Sequence, residues 1–187
     1  KSTANGFEIE LNWLPTDNFR VDFNLGYLDH EYDSYAPGAD PGPLGLPGPP
    51  RTIDFSALSP PFSPELNFGL GLTYFQGLAS GGSLTYNASL HYQDEYETSS
   101  FPANAQGADS SGVPIIIQKQ FTQVEERTLI DAFITWENAN QALNLTLYGK
   151  NLTDEVWRQS ANPVATLWNF TRFGAPREIG FQVRYHF

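Results

Sequence analysis

The sequence predicts an all-β fold: a transmembrane antiparallel β-barrel, to which this chain contributes seven strands. Three observations support the prediction. Apolar residues alternate with a period of two, short and long connections alternate along the chain, and the intervening positions are polar or charged. No run of about eighteen apolar residues, which a transmembrane helix needs, is present. The chain has no cysteine for disulfides or thiolate metal sites, and its net charge of −11 argues against nucleic-acid binding.

Seven segments show the alternation of a strand with one apolar and one polar face. In chain order they are 7–13, 19–27, 66–74, 84–92, 130–136, 143–147 and 179–187. The last is the clearest, because every odd position from Ile179 to Phe187 is apolar or aromatic. We therefore predict strands at about 5–14, 19–29, 64–75, 83–96, 126–137, 142–152 and 176–187.

The connections between the predicted strands alternate in length. The short ones fall at about 15–18, 76–82 and 137–141, and the long ones at about 28–63, 94–126 and 153–175. All short turns then lie at one end of the sheet and all long connections at the other. Outer-membrane barrels have this arrangement, with short periplasmic turns and long extracellular loops.

The two faces of the predicted strands differ in a way that a soluble β-sandwich does not explain. Aromatic residues flank an apolar band, with Trp13, Phe19, Tyr74, Phe75, Trp136 and Phe187 near the short turns and Tyr27, Tyr92, Tyr96 and Trp157 near the long connections. The other face carries Glu8, Glu10, Arg20, Asp22, Asn24, Asn87, His91, Asp131, Asn144, Lys150, Gln182 and Arg184. A sandwich core would not bury these side chains, whereas a hydrated or plugged lumen accommodates them.

The long connections are acidic. Residues 29–62 and 94–126 contain eleven carboxylates and only two bases, Arg51 and Lys119. A solvated surface explains this charge, and so would divalent-cation bridging to anionic lipids or electrostatic filtering of ligands. The segment around His30 lacks the glycine and distal glutamate of a calcium loop, and no GxSxG motif is present. We therefore predict no metal site, no cofactor and no catalytic residue.

Two segments near the C-terminus resemble the end of TonB-dependent outer-membrane receptors. The stretch from Leu145 to Glu155, LTLYGKNLTDE, is similar to that family's penultimate-strand signature, and Gly174-Ala-Pro-Arg177 precedes a final strand that ends in Phe187. The motif residues are Asn151, Leu152, Thr153, Asp154, Glu155, Pro176, Arg177 and Phe187. Near the N-terminus, NGFEIELNWLPTD (5–17) is similar to a recurrent hairpin of the family.

The resemblance implies a barrel of about 22 strands with a plug domain inside it. This chain would form the last seven strands, without the plug, in the outer membrane of a Gram-negative bacterium. The implied function is uptake of a scarce nutrient, most often a ferric siderophore, with energy passed on by TonB. The implied partners are the rest of the receptor, TonB through the plug, the barrel-assembly machinery that reads a terminal residue such as Phe187, outer-membrane lipid or lipopolysaccharide, and the ligand.

The candidate ligand contacts face the lumen or lie in the long connections. They are His91, Tyr35, Phe101, Trp168 and Phe170. A polar wall is the favoured interpretation of His91, and packing between loops explains the aromatic residues equally well. Haem, cobalamin or an oligosaccharide is an alternative ligand. A passive porin, an outer-membrane enzyme and a soluble binding module are alternative classes of protein.

Overall fold

The structure is a computed structural model that describes residues 1–35, 56, 58–98, 105–108, 114–116, 122–164 and 168–187. For 105–108, 114–116, 162–164, 168 and 169 it describes the backbone only. The described residues form strands, turns and loops and contain no helix. A membrane-spanning helix is accordingly not found among them.

Thirteen strands are present in the described residues. They are β1 (Ser2–Thr16), β2 (Phe19–Tyr32), β3 (Leu66–Gly77), β4 (Ser83–Gln93), β5 (Tyr96–Glu97), β6 (Ala105–Ala108), β7 (Pro114–Ile116), β8 (Gln123–Val124), β9 (Arg127–Glu137), β10 (Leu143–Lys150), β11 (Arg158–Val164), β12 (Trp168–Phe173) and β13 (Glu178–Tyr185). Seven of them form one antiparallel sheet in the order β1-β2-β3-β4-β9-β10-β13. This sheet confirms the predicted all-β fold.

The register of the sheet gathers the apolar residues on one face. Leu11 pairs with Phe23, Phe23 with Leu70, Leu70 with Leu90, and Leu90 with Ile130. The neighbouring row on the other face is polar. Because a shift of one residue would move every side chain of a strand to the opposite face, the alternation in the sequence fixes this register.

The seven-stranded sheet is a single layer without a hydrophobic core of its own. The only buried hydrophobic residues within the described ranges are Val124 and Ala161, and neither belongs to the sheet. Apolar side chains of the sheet are open instead: Phe7 is 55% exposed, and Phe181 is 62% exposed. A large uncovered apolar face indicates contact with a membrane or another protein surface.

Both edges of the sheet are open in the described structure. β1 pairs only with β2, and β13 pairs only with β10. Long unpaired edges are templates for further strands. The barrel is thus not closed within this chain.

The three long connections join β2 to β3, β4 to β9 and β10 to β13, and we call them the first, second and third connections. We expected loops there, but the second contains the short pairs β5–β8 and β6–β7, and the third contains the hairpin β11–β12. The alternation in Arg158–Val164 is weak and includes Pro163, which explains why the sequence pattern misses this strand. Proline is tolerated there because, among the described strands, β11 pairs only with β12 and its other edge needs no ladder donor.

Aromatic pairs lie towards both ends of the apolar face, but not every residue that we expected in the aromatic bands is on that face. Phe7 lies 5.5 Å from Tyr27 between ring centroids, and Tyr74 lies 6.1 Å from Tyr86. Phe75, which we grouped with the aromatic residues near the short turns, pairs with a threonine in the register and lies on the polar face. We had grouped Phe75 by its position along the strand, which does not determine the face. Successive residues of a strand point to opposite faces, so Phe75 lies opposite Tyr74.

Candidate ligand-binding mouth

His91 lies on the polar face of β4, where its register partners are Gly69 on β3 and Leu129 on β9. The side chain is exposed, as a ligand contact must be. Four residues earlier on the same face of β4, the Asn87 amide donates to Oγ1 of Thr73 over 2.9 Å. Thr73 is buried, with 5% of its surface exposed. The polar face is therefore a hydrogen-bonded wall on which His91 is one open group.

A concave region of about 360 Å³ lies at the end of the sheet that carries the long connections. We call it the acidic groove, because its lining includes the carboxylates Asp29, Glu65, Asp94, Glu95, Glu97 and Glu126. Within the groove, Nδ1 of His30 lies 3.0 Å from Oγ of Ser63. The described residues contain no group of three or more His, Cys, Asp or Glu side chains arranged to hold a metal ion.

Two aromatic candidates belong to the long connections. Tyr35 follows β2, and its ring centroid lies 4.8 Å from that of Tyr32. The backbone N–H of Tyr35 donates to Oγ of Ser56 over 3.0 Å. Phe170 is on β12 opposite Asn162 and is 71% exposed. Tyr35 is thus held by neighbours, whereas the Phe170 side chain is open to solvent.

The remaining two candidates give less information. Phe101 lies outside the described residues, and Trp168 is described through its backbone alone, which pairs with Val164. The described candidates lie on three separate elements, since His91 is on β4, Tyr35 follows β2 and Phe170 is on β12. Their use as one ligand site stays a prediction.

The motif residues come together at the start of the third connection around Asn151. Asn151 is 6% exposed and has a φ of +48°, a left-handed conformation that asparagine tolerates better than most residues. Its Nδ2 donates to the carbonyl oxygens of Glu155 over 2.9 Å and of Ala175 over 3.2 Å. Its Oδ1 accepts from the N–H of Glu155 over 2.9 Å. One side chain therefore holds residues that enter and leave the third connection.

The neighbouring motif residues extend the same arrangement. Asp154 also has a positive φ, +58°, and its carboxylate lies 3.2 Å from the guanidinium of Arg177. The backbone N–H of Leu152 donates to the carbonyl of Ile130 over 2.8 Å. Hydroxyl Oγ1 of Thr153 lies 3.3 Å from the carbonyl oxygen of Thr128, to which it donates. These contacts tie the turn to β9.

We call residues 151–157 and 174–177 the neck, since they are the two legs that join the β11–β12 hairpin to the sheet. The N–H of Gly174 donates to the carbonyl of Trp157 over 2.9 Å. A Cβ at position 174 would overlap the Trp157 ring, so only glycine fits there. Pro176 lies in the second leg between Ala175 and Arg177.

Trp157 is not part of an aromatic band on the apolar face, contrary to our expectation. Its ring lies 4.4 Å from the guanidinium carbon of Arg127, which pairs with Gln93 on the polar face and donates to the Gln93 amide. The neck folds the ring back onto this cation, a favourable contact between a guanidinium and an aromatic face. We did not predict a role for Arg127 from the sequence. The one feature that could have indicated it is a single basic residue directly after Glu125 and Glu126.

The hairpin beyond the neck packs against the second connection. Arg158 binds Glu125 with both Nε, at 2.9 Å, and a terminal nitrogen. This hydrogen bond from Arg158 holds the pKa of the Glu125 carboxyl below its ordinary value. The hydroxyl of Thr98 contacts the carbonyl of Ala161, and Val124 of the second connection is fully buried. The second and third connections therefore form one packed unit.

A comparison with family models identifies the class of protein. Residues 1–152 match the family described as "TonB dependent receptor-like, beta-barrel". The chain belongs to this family of outer-membrane transport receptors, which are not enzymes. The match confirms both the predicted resemblance and the barrel type of the sheet. No curated protein matches the chain.

Solved structures of bacterial receptors have the same fold. The ferric yersiniabactin uptake receptor FyuA of Yersinia pestis superposes with a TM-score of 0.68 at 15% identity, over 100% of this chain and 24% of that one. The siderophore receptor PiuA of Acinetobacter baumannii gives 0.62 at 21% identity, over 98% and 22%. The ferric-catecholate import receptor Fiu of E. coli K12 gives 0.64 at 18% identity, over 100% and 21%. The chain spans about a quarter of these receptors or less, and the likeness shows the fold alone.

Proposed function

We propose that this chain is a wall segment of a TonB-dependent receptor that takes up a ferric siderophore across the outer membrane of a Gram-negative bacterium. The observation that carries the proposal is the sheet itself, a single layer with an uncovered apolar face, a polar face and two open edges. Such a layer is stable when lipid covers one face and further strands continue the edges. The long connections, all at one end, then form the outer mouth.

The choice of a ferric siderophore is the finer part of the proposal. It is supported by the solved receptors of similar fold, which are receptors for ferric yersiniabactin, for a siderophore and for ferric catecholates. The mouth supplies groups that suit a rigid, partly aromatic chelate: the open ring of Phe170, the exposed imidazole of His91 and the ring of Tyr35. We include Phe101 and Trp168, from the same connections, among the proposed contacts.

The proposed partners follow from the surfaces that the chain leaves open. Further strands of the receptor would pair with the edges of β1 and β13. A plug domain would contact the polar face and would link the receptor to TonB, while lipid and lipopolysaccharide would cover the apolar face and its outer rim. The barrel-assembly machinery would read the C-terminal strand that ends in Phe187.

Uptake by the complete receptor that contains this chain tests the proposal. Cells that express it are given radioactive iron bound to siderophores of several classes, and uptake is compared with and without TonB. We expect uptake of at least one ferric siderophore that is lost without TonB. Uptake that persists without TonB would indicate a passive porin. Binding of haem, cobalamin or an oligosaccharide in place of every siderophore would contradict the ligand class.

A further inference from the structure

Asn151 links three parts of the molecule: β9 and both legs of the neck. We propose that Asn151 is a positioning residue of the outer mouth, which holds the β11–β12 hairpin in place against the second connection. The further statement that the held hairpin presents Phe170 to a ligand rests on the proposed function. The positioning itself does not.

The anchoring of Asn151 to the sheet is the first step. Its backbone N–H donates to the carboxylate of Asp131 over 2.8 Å, and the next N–H, that of Leu152, donates to the carbonyl of Ile130. Both acceptors are on β9, in the interior of the seven-stranded sheet. Asn151 is thus fixed to a strand that is paired on both sides.

The closure of the neck is the second step. The two hydrogens on Nδ2 of Asn151 are used on opposite legs, one at the carbonyl of Glu155 and one at that of Ala175. Loss of this amide would remove the donor from both carbonyls, and the Asn151 residue that supplies it is only 6% exposed. Asp154 and Arg177 bridge the legs further out, but that ion pair is half-exposed and is weak by comparison.

Asparagine is the residue that suits this position, because it tolerates a left-handed backbone and its side-chain amide both donates and accepts hydrogen bonds. The φ of +48° favours glycine or asparagine, and the side chain must donate twice and accept once. Aspartate accepts but does not donate when ionised. Glycine keeps the backbone conformation but removes the side chain, which makes Asn151→Gly the variant that isolates the amide.

The hairpin is held at a second point beyond the neck. Arg158 pairs with Glu125, and Thr98 contacts the carbonyl of Ala161, both across to the second connection. While Asn151 joins the two legs, the hairpin has one orientation in which these contacts can form. Without that link the hairpin samples a range of orientations, and forming the contacts then costs conformational entropy.

Distances between two spin labels in the complete receptor test the proposal. The chain has no cysteine, so Ser34→Cys and Gln159→Cys, both at exposed positions, supply labelling sites on the first connection and on the hairpin. We expect one narrow distance population in the parent, and a broad or second population in both Asn151→Gly and Asn151→Asp. An unchanged narrow population in Asn151→Gly would overturn the proposal.

Gln141→Gly is the matched control. Gln141 has a φ of +58° in the turn before the opposite end of β10, and its backbone N–H bonds to Asn138 within the same turn. Its backbone is left-handed like that of Asn151, but it lies away from the neck. We expect Gln141→Gly to keep the narrow population. Broadening in this variant equal to that in Asn151→Gly would assign the effect to general loosening and would overturn the proposal.

Hydrogen exchange on the unsubstituted receptor covers the case in which Asn151→Gly does not assemble. The proposal predicts slow exchange at similar rates for two amides of the neck. The Glu155 amide donates to Asn151 Oδ1, and the Gly174 amide donates to the Trp157 carbonyl. Fast, unprotected exchange at both would overturn it. These readouts need no ligand, so failure of siderophore uptake would contradict the proposed function and leave the positioning role intact.

Discussion

The carboxylate of Asp131 accepts a hydrogen bond from the backbone N–H of Asn151 over 2.8 Å, across the gap between β9 and the turn that follows β10. Asp131 lies on the polar face of β9, where Ser89 of β4 is its register partner. The contact explains why the turn after β10 stays attached to the sheet. It also leads to the first prediction.

Asp131→Ala should destabilise the receptor, because it leaves the N–H of Asn151 without an acceptor at a buried site. A buried donor that loses its acceptor costs about 1–3 kcal/mol. Thermal unfolding followed by heat-shift electrophoresis measures the effect. Asp131→Asn keeps an acceptor oxygen and should retain most of the stability. Equal losses in the two variants would contradict the role given to the hydrogen bond.

Gly180→Ala should destabilise the pairing of β13 with β10, because the ring of Tyr148 covers Gly180 from the neighbouring strand and a Cβ there would overlap it. We expect a loss of about 1–3 kcal/mol, as for other overpacked sites. Gly77→Ala is the control, since a Cβ at position 77 has open space around it. Urea unfolding should distinguish the two, and Tyr148→Ala added to Gly180→Ala should recover part of the loss.

The contact between Glu125 and Arg158 should weaken in acid. The pKa of Glu125 is lowered by the hydrogen bond from Arg158, so its contribution to folding is complete above the ordinary glutamate pKa of about 4.3 and is lost as the pH falls through the lower folded value. Protection of the hairpin amides, measured against their intrinsic exchange rate at each pH, should therefore fall below about pH 4. Glu125→Gln should show the lower protection at neutral pH already and little further change in acid. A pH profile identical in the two proteins would contradict this assignment.

Removal of Phe187 should reduce assembly into the outer membrane without altering the rest of the fold. Phe187 is fully exposed, and its ring contacts only the edge of Tyr185, 4.9 Å away between centroids, among the described ring contacts. Its burial therefore adds little to stability, and a loss of folded barrel would come from recognition during assembly. The folded fraction in heat-shift gels measures this. Phe170→Ala, another exposed aromatic residue, is the control, and an undiminished folded fraction after loss of Phe187 would contradict the prediction.

The sheet could be predicted from the sequence because its strands carry their own periodic signal. Residues 179–187 alternate without exception, and such alternation determines strand, face and register together. The β11–β12 hairpin has no such signal. Its pairing, for example Ala161 with Thr171, is decided by contacts with the second connection, 30 or more residues away in sequence.

The candidate site was predicted less completely, for the same physical reason. The motif residues around Asn151 were found by resemblance, but their hydrogen bonds to Glu155 and Ala175 depend on how two distant legs meet. Arg127 and Trp157 form a cation–aromatic pair that neither residue's neighbours in sequence indicate. Ligand contacts depend on side chains from several connections, so single aromatic residues such as Phe170 remain individual predictions.

The most direct test of the central claim, that one face of the sheet meets lipid and the other a hydrated lumen, is an accessibility scan along β9. Single cysteines carrying spin labels are placed at each of residues 130–136 in the complete receptor, and collisions with oxygen and with a water-soluble nickel chelate are measured. Oxygen should dominate at Ile130, Ala132, Ile134 and Trp136, and the nickel chelate at Asp131, Phe133 and Thr135. A scan without a period of two, or with the two sets exchanged, would contradict the account.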